Sequence, residues 1–177
     1  GRIRAAGGVS NGLVRLQSTY RLQQVFNESA QDVYSDDGNL QLHVDSGSLP
    51  GSVAYFAVMP PGAVPGAPPP GLTLVGDVYD ITASGALTGL QRPAALTLHY
   101  DAALVNPVAS PDGFGIYRWD PNDEAWHAVA TQIDSDHQAA TAVVANLGAY
   151  AILAPPGAWM RPPSHIYLPL LESSSGP

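Results

Sequence analysis

Apolar residues in this chain recur with a period of two over short runs, and no stretch keeps a helix's period for a helix's length. Leu40, Leu42 and Val44 alternate with Gln41, His43 and Asp45. Alternation places successive side chains on opposite faces of a strand, so each such run has one face to bury. Turn residues separate the runs. Ser46 to Gly51 contains two glycines and a proline, and Asp120-Pro121-Asn122-Asp123-Glu124 is a tight acidic turn. Short strands punctuated in this way specify an all-β sandwich or barrel. Further strands are expected over Val53–Met59, Ala94–Tyr100, Gly113–Trp119, Trp126–Ala130, Ala139–Ala145 and Ala149–Leu153. Leu72–Val75 and Asp77–Ile81 make one long strand or two. Val53–Met59 is nearly all apolar and is expected to be buried on both faces. The run Phe114–Ala130 reads as a β-hairpin, with a second polar turn over Ile133–Gln138. Pro60 to Gly71 holds six prolines in twelve residues. Proline gives no N–H to a ladder, so this segment is expected as a surface crossover.

Charge is distributed unevenly. The first 26 residues contain Arg2, Arg4, Arg15 and Arg21 and no acid; the rest contain three arginines and all fifteen acids, giving +4 and −12 within a net −8. Inside the basic stretch, Leu13–Phe26 is strand-like: Val14, Leu16, Tyr20 and Leu22 alternate with Arg15, Gln17, Thr19, Arg21 and Gln23. At about 3.3 Å per residue a fourteen-residue strand spans roughly 45 Å, longer than strands usually run. A basic strand beside an acidic body is suited to lie against acid, its own or a neighbour's. The chain is therefore expected to divide into an N-terminal arm and linker (1–35), a sandwich (36–154), and a proline-rich linker with a short C-terminal strand (155–177). That last strand is His165–Leu171, with Ile166, Tyr167, Leu168 and Leu170 as interface candidates.

Several function classes drop out on composition. There is no cysteine, so disulfides, thiolate metal sites and cysteine nucleophiles are excluded. No apolar run is long enough to span a membrane as a helix. A sequence pI near 4.7 argues against nucleic-acid binding by the body. Phosphate loops, HExxH and Gly-x-Ser-x-Gly do not occur. The five histidines, at 43, 99, 127, 137 and 165, lack the convergent short spacing of a zinc site; His43 and His99 are expected to face solvent. The acids of Asp120–Glu124, and Asp134 with Asp136, read as hairpin chemistry rather than a calcium loop, because the EF-hand spacing is absent. Trp119 and Trp126 lie across the hairpin from each other. Cross-strand packing is the ordinary role of such a pair, and stacking on sugars the functional one.

Residues 36–154 resemble the ZU5-type β-sandwich module of bacterial extracellular proteins. The resemblance rests on Asp37-Gly38-Asn39-Leu40-Gln41-Leu42, Gly76-Asp77-Val78-Tyr79-Asp80-Ile81, Arg92-Pro93-Ala94-Ala95-Leu96-Thr97-Leu98-His99-Tyr100, Gly115-Ile116-Tyr117-Arg118-Trp119-Asp120 and Gly148-Ala149-Tyr150-Ala151-Ile152-Leu153, in that order. It implies an antiparallel Ig-like, Greek-key sandwich used for adhesion, spacing or assembly. Some modules of that kind cleave themselves at a His-Phe-Ser motif. Here Asn146-Leu147-Gly148 stands in that region, without the histidine or the serine nucleophile. The tail around Tyr167-Leu168-Pro169 is similar to a short ending found on bacterial surface proteins.

The expected fold is thus all-β, a sandwich of seven to nine strands with an extended N-terminal strand and a short C-terminal one. The expected function is non-enzymatic: an extracellular or cell-surface structural subunit of a bacterial filament or array, a homo-polymer assembled by donor-strand addition. Val14, Arg15, Leu16, Tyr20, Arg21, Leu22 and Phe26 would form the donated strand, and no metal or cofactor is required. The alternative is a monomeric adhesion module that binds a glycan or protein ligand.

Overall fold

The computed structural model describes residues 21–59, 64–105 and 113–158. Two antiparallel sheets pack face to face as a β-sandwich. Among the described residues eleven strands follow in order: β1 Gln23–Phe26, β2 Gln31–Tyr34, β3 Leu40–Val44, β4 Val53–Met59, β5 Thr73–Ala83, β6 Gly89–His99, β7 Gly115–Asp120, β8 Ala125–Ala128, β9 Thr131–Asp134, β10 Ala139–Asn146 and β11 Gly148–Ala154. Sheet A has the order β1-β4-β5-β11-β7-β8, and sheet B the order β2-β3-β6-β10-β9. Single-turn 3₁₀ segments follow β5 and β6.

Alternation fixes which side chains meet between the sheets. In β3, Leu40, Leu42 and Val44 are fully buried while Gln41 and His43 are half-buried on the other face. They pack with Leu96 and Leu98 of β6, Ala140, Ala142 and Val144 of β10, and Phe56, Ile81, Ile116 and Tyr150 of sheet A. Four of these eleven strands differ from the sequence-based expectation. The stretch expected as arm and linker, 1–35, contains β1 and β2, so the sandwich begins at Gln23 rather than at 36. Ile133 and Asp134, expected in a turn, close β9. In β4 the outward Val53 and Tyr55 are 39% and 45% exposed while Ala57 on the same face is buried, so only the second half of this strand is covered on both faces.

The strand buried on both faces for most of its length is β11. Its outward Ala151 and Leu153 join Val78 and Trp126 in a second apolar cluster outside sheet A, flanked by Leu72, Leu74, Tyr117 and Trp119. The proline crossover reaches this cluster: the Trp126 indole N–H donates to the Gly66 carbonyl at 3.0 Å. Gly66 has no alternative there, because a Cβ at that position would sit 2.3 Å from the Trp119 ring. At Gly66 the crossover lies over the β7/β8 side, and among the described residues Phe26, Val53 and Tyr55 on the β1/β4 side remain exposed.

Side-chain amides close the sandwich along the β1/β2 edge. Gln23 of β1 donates to the Tyr34 carbonyl at 2.7 Å and accepts from the Tyr34 N–H at 2.9 Å; Gln31 of β2 accepts from the Phe26 N–H at 2.9 Å. Each glutamine thus acts as a surrogate backbone unit between sheets that do not hydrogen-bond directly. Gln23→Ala is expected to lower stability by about 0.5–1.5 kcal/mol, measurable as an earlier midpoint in urea with an unchanged slope.

Candidate functional site

The first candidate is an open strand edge. β1 covers β4 only from Val53 to Phe56, so Ala57, Val58 and Met59 have no strand on that side among the described residues. β4 in turn covers β5 only from Asp80 to Ala83. The residues after Met59 in sequence are two prolines, and proline has no N–H to extend a ladder. Thr73 to Tyr79 therefore pair with β11 on one side and, among the described residues, with no strand on the other. This stretch contains a bulge. Three residues of β5 lie between Val75 and Tyr79 where β11 has one, and Gly76 at φ +76° supplies the left-handed backbone. Asp77, in the bulge, is exposed.

Of the proposed strand-donor residues, Arg21, Leu22 and Phe26 are described. Arg21 is exposed and Leu22 half-buried, both just ahead of β1. Phe26 ends β1, opposite Val53 of the same chain. The last four residues of the expected Leu13–Phe26 strand thus pair within their own sandwich, with Val25 in the core. Val14, Arg15, Leu16 and Tyr20 lie outside the described residues, as do Ile166, Tyr167, Leu168 and Leu170.

The second candidate is a cleft of about 880 Å³ at the opposite side of β5, where sheet A splits. The β11–β5 ladder runs to Gly148↔Ile81, but the β11–β7 ladder ends at Tyr150↔Arg118. Trp119 and Asp120 stay paired with β8 alone, so the end of the β7–β8 hairpin parts from β11 and leaves a wedge. Asp80, Arg118, Trp119, Asn122 and Asn146 line it. Arg118 donates to Asp120 Oδ2 at 2.7 Å. Among the described residues the Asp80 side chain has no hydrogen bond or ion pair, and its burial holds the carboxyl above the usual range. Tyr150 stands behind the wedge, its hydroxyl bonded to the Asn146 carbonyl and its pKa pushed up to about 12 by burial.

The tryptophan pair is packed as the sequence suggested. The rings meet edge to face, with centroids 5.6 Å apart. Trp126 is only 6% exposed, so a ligand meets Trp119 rather than both indoles.

Asp120, Asp123 and His127 bring three ligand-type side chains together at the hairpin turn. The partners of Asp120 explain the grouping without an ion. One carboxylate oxygen accepts from the Asn122 backbone and side-chain amides, and the other from Arg118. The backbone bond from Asn122 is the largest influence holding Asp120 below the usual carboxylate range. His127 is bonded to Asp123 at 2.7 Å. His43 and His137 are likewise on Asp32 and Asp134, each at 2.7 Å. These three pairs are solvent-accessible, and among the described residues none of the three histidines is bonded to a hydroxyl.

Comparison with models of known protein families found no match, and comparison with curated proteins found none.

Proposed function

We propose that this chain is a non-enzymatic structural subunit of the bacterial exterior, joined to its copies by strand addition into a filament or surface array. The open edge that steps from Ala57–Met59 of β4 to Thr73–Tyr79 of β5 carries the reading. An added strand satisfies a row of unpaired edge groups and places alternate side chains in pockets. The edge also selects by charge. Asp77 is exposed on it and Asp37 lies beside Tyr79. Acids at an open edge repel an acidic chain and admit a basic one. The N-terminal segment is the basic one, and as an added strand its alternation would put Val14, Leu16 and Tyr20 on one face and Arg15 and Arg21 on the other.

Because β1 anchors Gln23–Phe26 in its own body, the part free to be donated is residues 1–20, which would span about 65 Å if fully extended. That is enough to reach a neighbouring sandwich. The resemblance of residues 36–154 to ZU5-type modules is what favours the extracellular setting.

The test compares the full chain with a variant lacking residues 1–20, by sedimentation and negative-stain microscopy. The full chain is expected to form ordered polymers and the truncated one monomers. Asp77→Arg should block assembly, and pairing it with Arg15→Asp and Arg21→Asp should restore part of it. A full chain that stays monomeric at high concentration ends the proposal.

A further inference from the structure

The strand-addition reading leaves the split in sheet A without a role. Its lining has a mixed character that an accidental gap between strands need not have. Trp119 offers an apolar aromatic wall, Asp80 a side-chain acceptor with no partner among the described residues, Arg118 further N–H donors beyond the one held by Asp120, and Asn122 and Asn146 amides. The volume, about 880 Å³, is that of a small-molecule site.

Charge narrows the ligand. Arg118 is neutralised by Asp120 at 2.7 Å, and Asp80 adds a further acid, so the cleft does not favour anions. An apolar wall facing hydroxyl-scale donors and acceptors suits a molecule that is apolar on its ring faces and polar around its rim. We infer that the wedge between β5, β11 and the β7–β8 hairpin is a binding site for a neutral saccharide, with Trp119 against a sugar ring and Asp80 accepting from its hydroxyls.

Asp80 is the informative residue. It sits half-buried with its side chain unpaired among the described residues, an arrangement that costs stability in the free chain and is relieved when a ligand donates to it. A carboxyl that burial holds above its unfolded value destabilises the folded state once ionised, so at neutral pH its removal should not weaken the fold. A purely structural acid would behave in the opposite way.

The test titrates the full chain with cellobiose, maltotriose and chitobiose, followed by the indole N–H resonances in NMR. Calcium and spermidine serve as cationic controls. At least one saccharide is expected to shift the Trp119 resonance. Asp80→Ala should then weaken binding about tenfold or more while melting no lower than the unaltered chain, and Asn122→Ala should weaken it less. No response to any of the three sugars, a response to the cations alone, or undiminished binding by Asp80→Ala would each overturn the inference. The outcome does not depend on whether the chain polymerises.

Discussion

Trp126→Ala is expected to destabilise the chain by about 3–5 kcal/mol, the range for removing a large buried aromatic. The indole is 6% exposed and has three jobs at once. It fills the outer cluster against Val78, Ala151 and Leu153. It meets Trp119 edge to face. Its N–H holds the crossover through the Gly66 carbonyl. Alanine removes all three and leaves a cavity on a sheet face that only a surface segment covers. Trp126→Phe keeps most of the apolar contact and loses the hydrogen bond, so it should cost less, about 1–2 kcal/mol. Gly66→Ala attacks the same junction through the other indole. Its Cβ would fall 2.3 Å from the Trp119 ring, and the forced shift should cost about 1–3 kcal/mol. Gly66 touches both indoles, so the two changes are coupled and the double variant should lose less than the sum. Equilibrium urea unfolding checks the set. A Trp126→Ala chain within 1 kcal/mol of the original would mean that the crossover does not cover sheet A as described.

These dependencies explain what could be read in advance. The β7–β8 hairpin was legible because two local signals agreed: alternating aromatic and branched residues over Gly115–Trp119, and an acidic turn at Asp120–Glu124. β3 was legible for the same reason. β2 was not. Its only buried residue is Val33, and Gln31 and Asp32 look like linker until Gln31 is seen holding the Phe26 N–H. The misreading of β4 has a different cause. Val53–Met59 and Ala149–Leu153 are about equally apolar, and only what packs on the outer face of sheet A decides how much of each is covered there. The wedge was hidden altogether. Asp80 reads as an ordinary strand residue, and it becomes distinctive only because β7 parts from β11 at Arg118, more than thirty residues away in sequence. Local pattern specified the strands; the site depends on where non-local ladders stop.

One such stopping point supplies a second large effect. Where β4 ends opposite Asp80, Tyr79 is the first residue of β5 without a β4 neighbour. Its buried ring fills the space between the sheets, and its hydroxyl donates to Asp37 Oδ2 at 2.7 Å. Asp37 belongs to the β2–β3 turn of sheet B, where it also accepts from the Ser35 hydroxyl and the Asn39 N–H. One carboxylate therefore shapes a turn and latches the two sheets together beside the open edge. Tyr79→Ala, which removes ring and latch, is expected to cost about 3–5 kcal/mol; Tyr79→Phe, which removes the latch alone, about 1–2. Protonation should mimic the second change. Burial tends to raise the Asp37 pKa, but the bonds from Ser35, Tyr79 and Asn39 outweigh it and hold the carboxyl below its usual range. A depressed carboxylate stabilises the fold at pH values above the unfolded pKa, near 4, and the contribution is lost as pH falls through the folded value. The stability gap between the original chain and Asp37→Ala should accordingly be full at pH 7 and narrow progressively below pH 4. Asp37 is itself exposed, so screening will keep that gap to about 1–3 kcal/mol. A gap that stays constant to pH 2 would show that the latch holds without the charge. If it closes as expected, acid should also loosen the sheets at the edge where strands are proposed to add, and assembly should become least selective there.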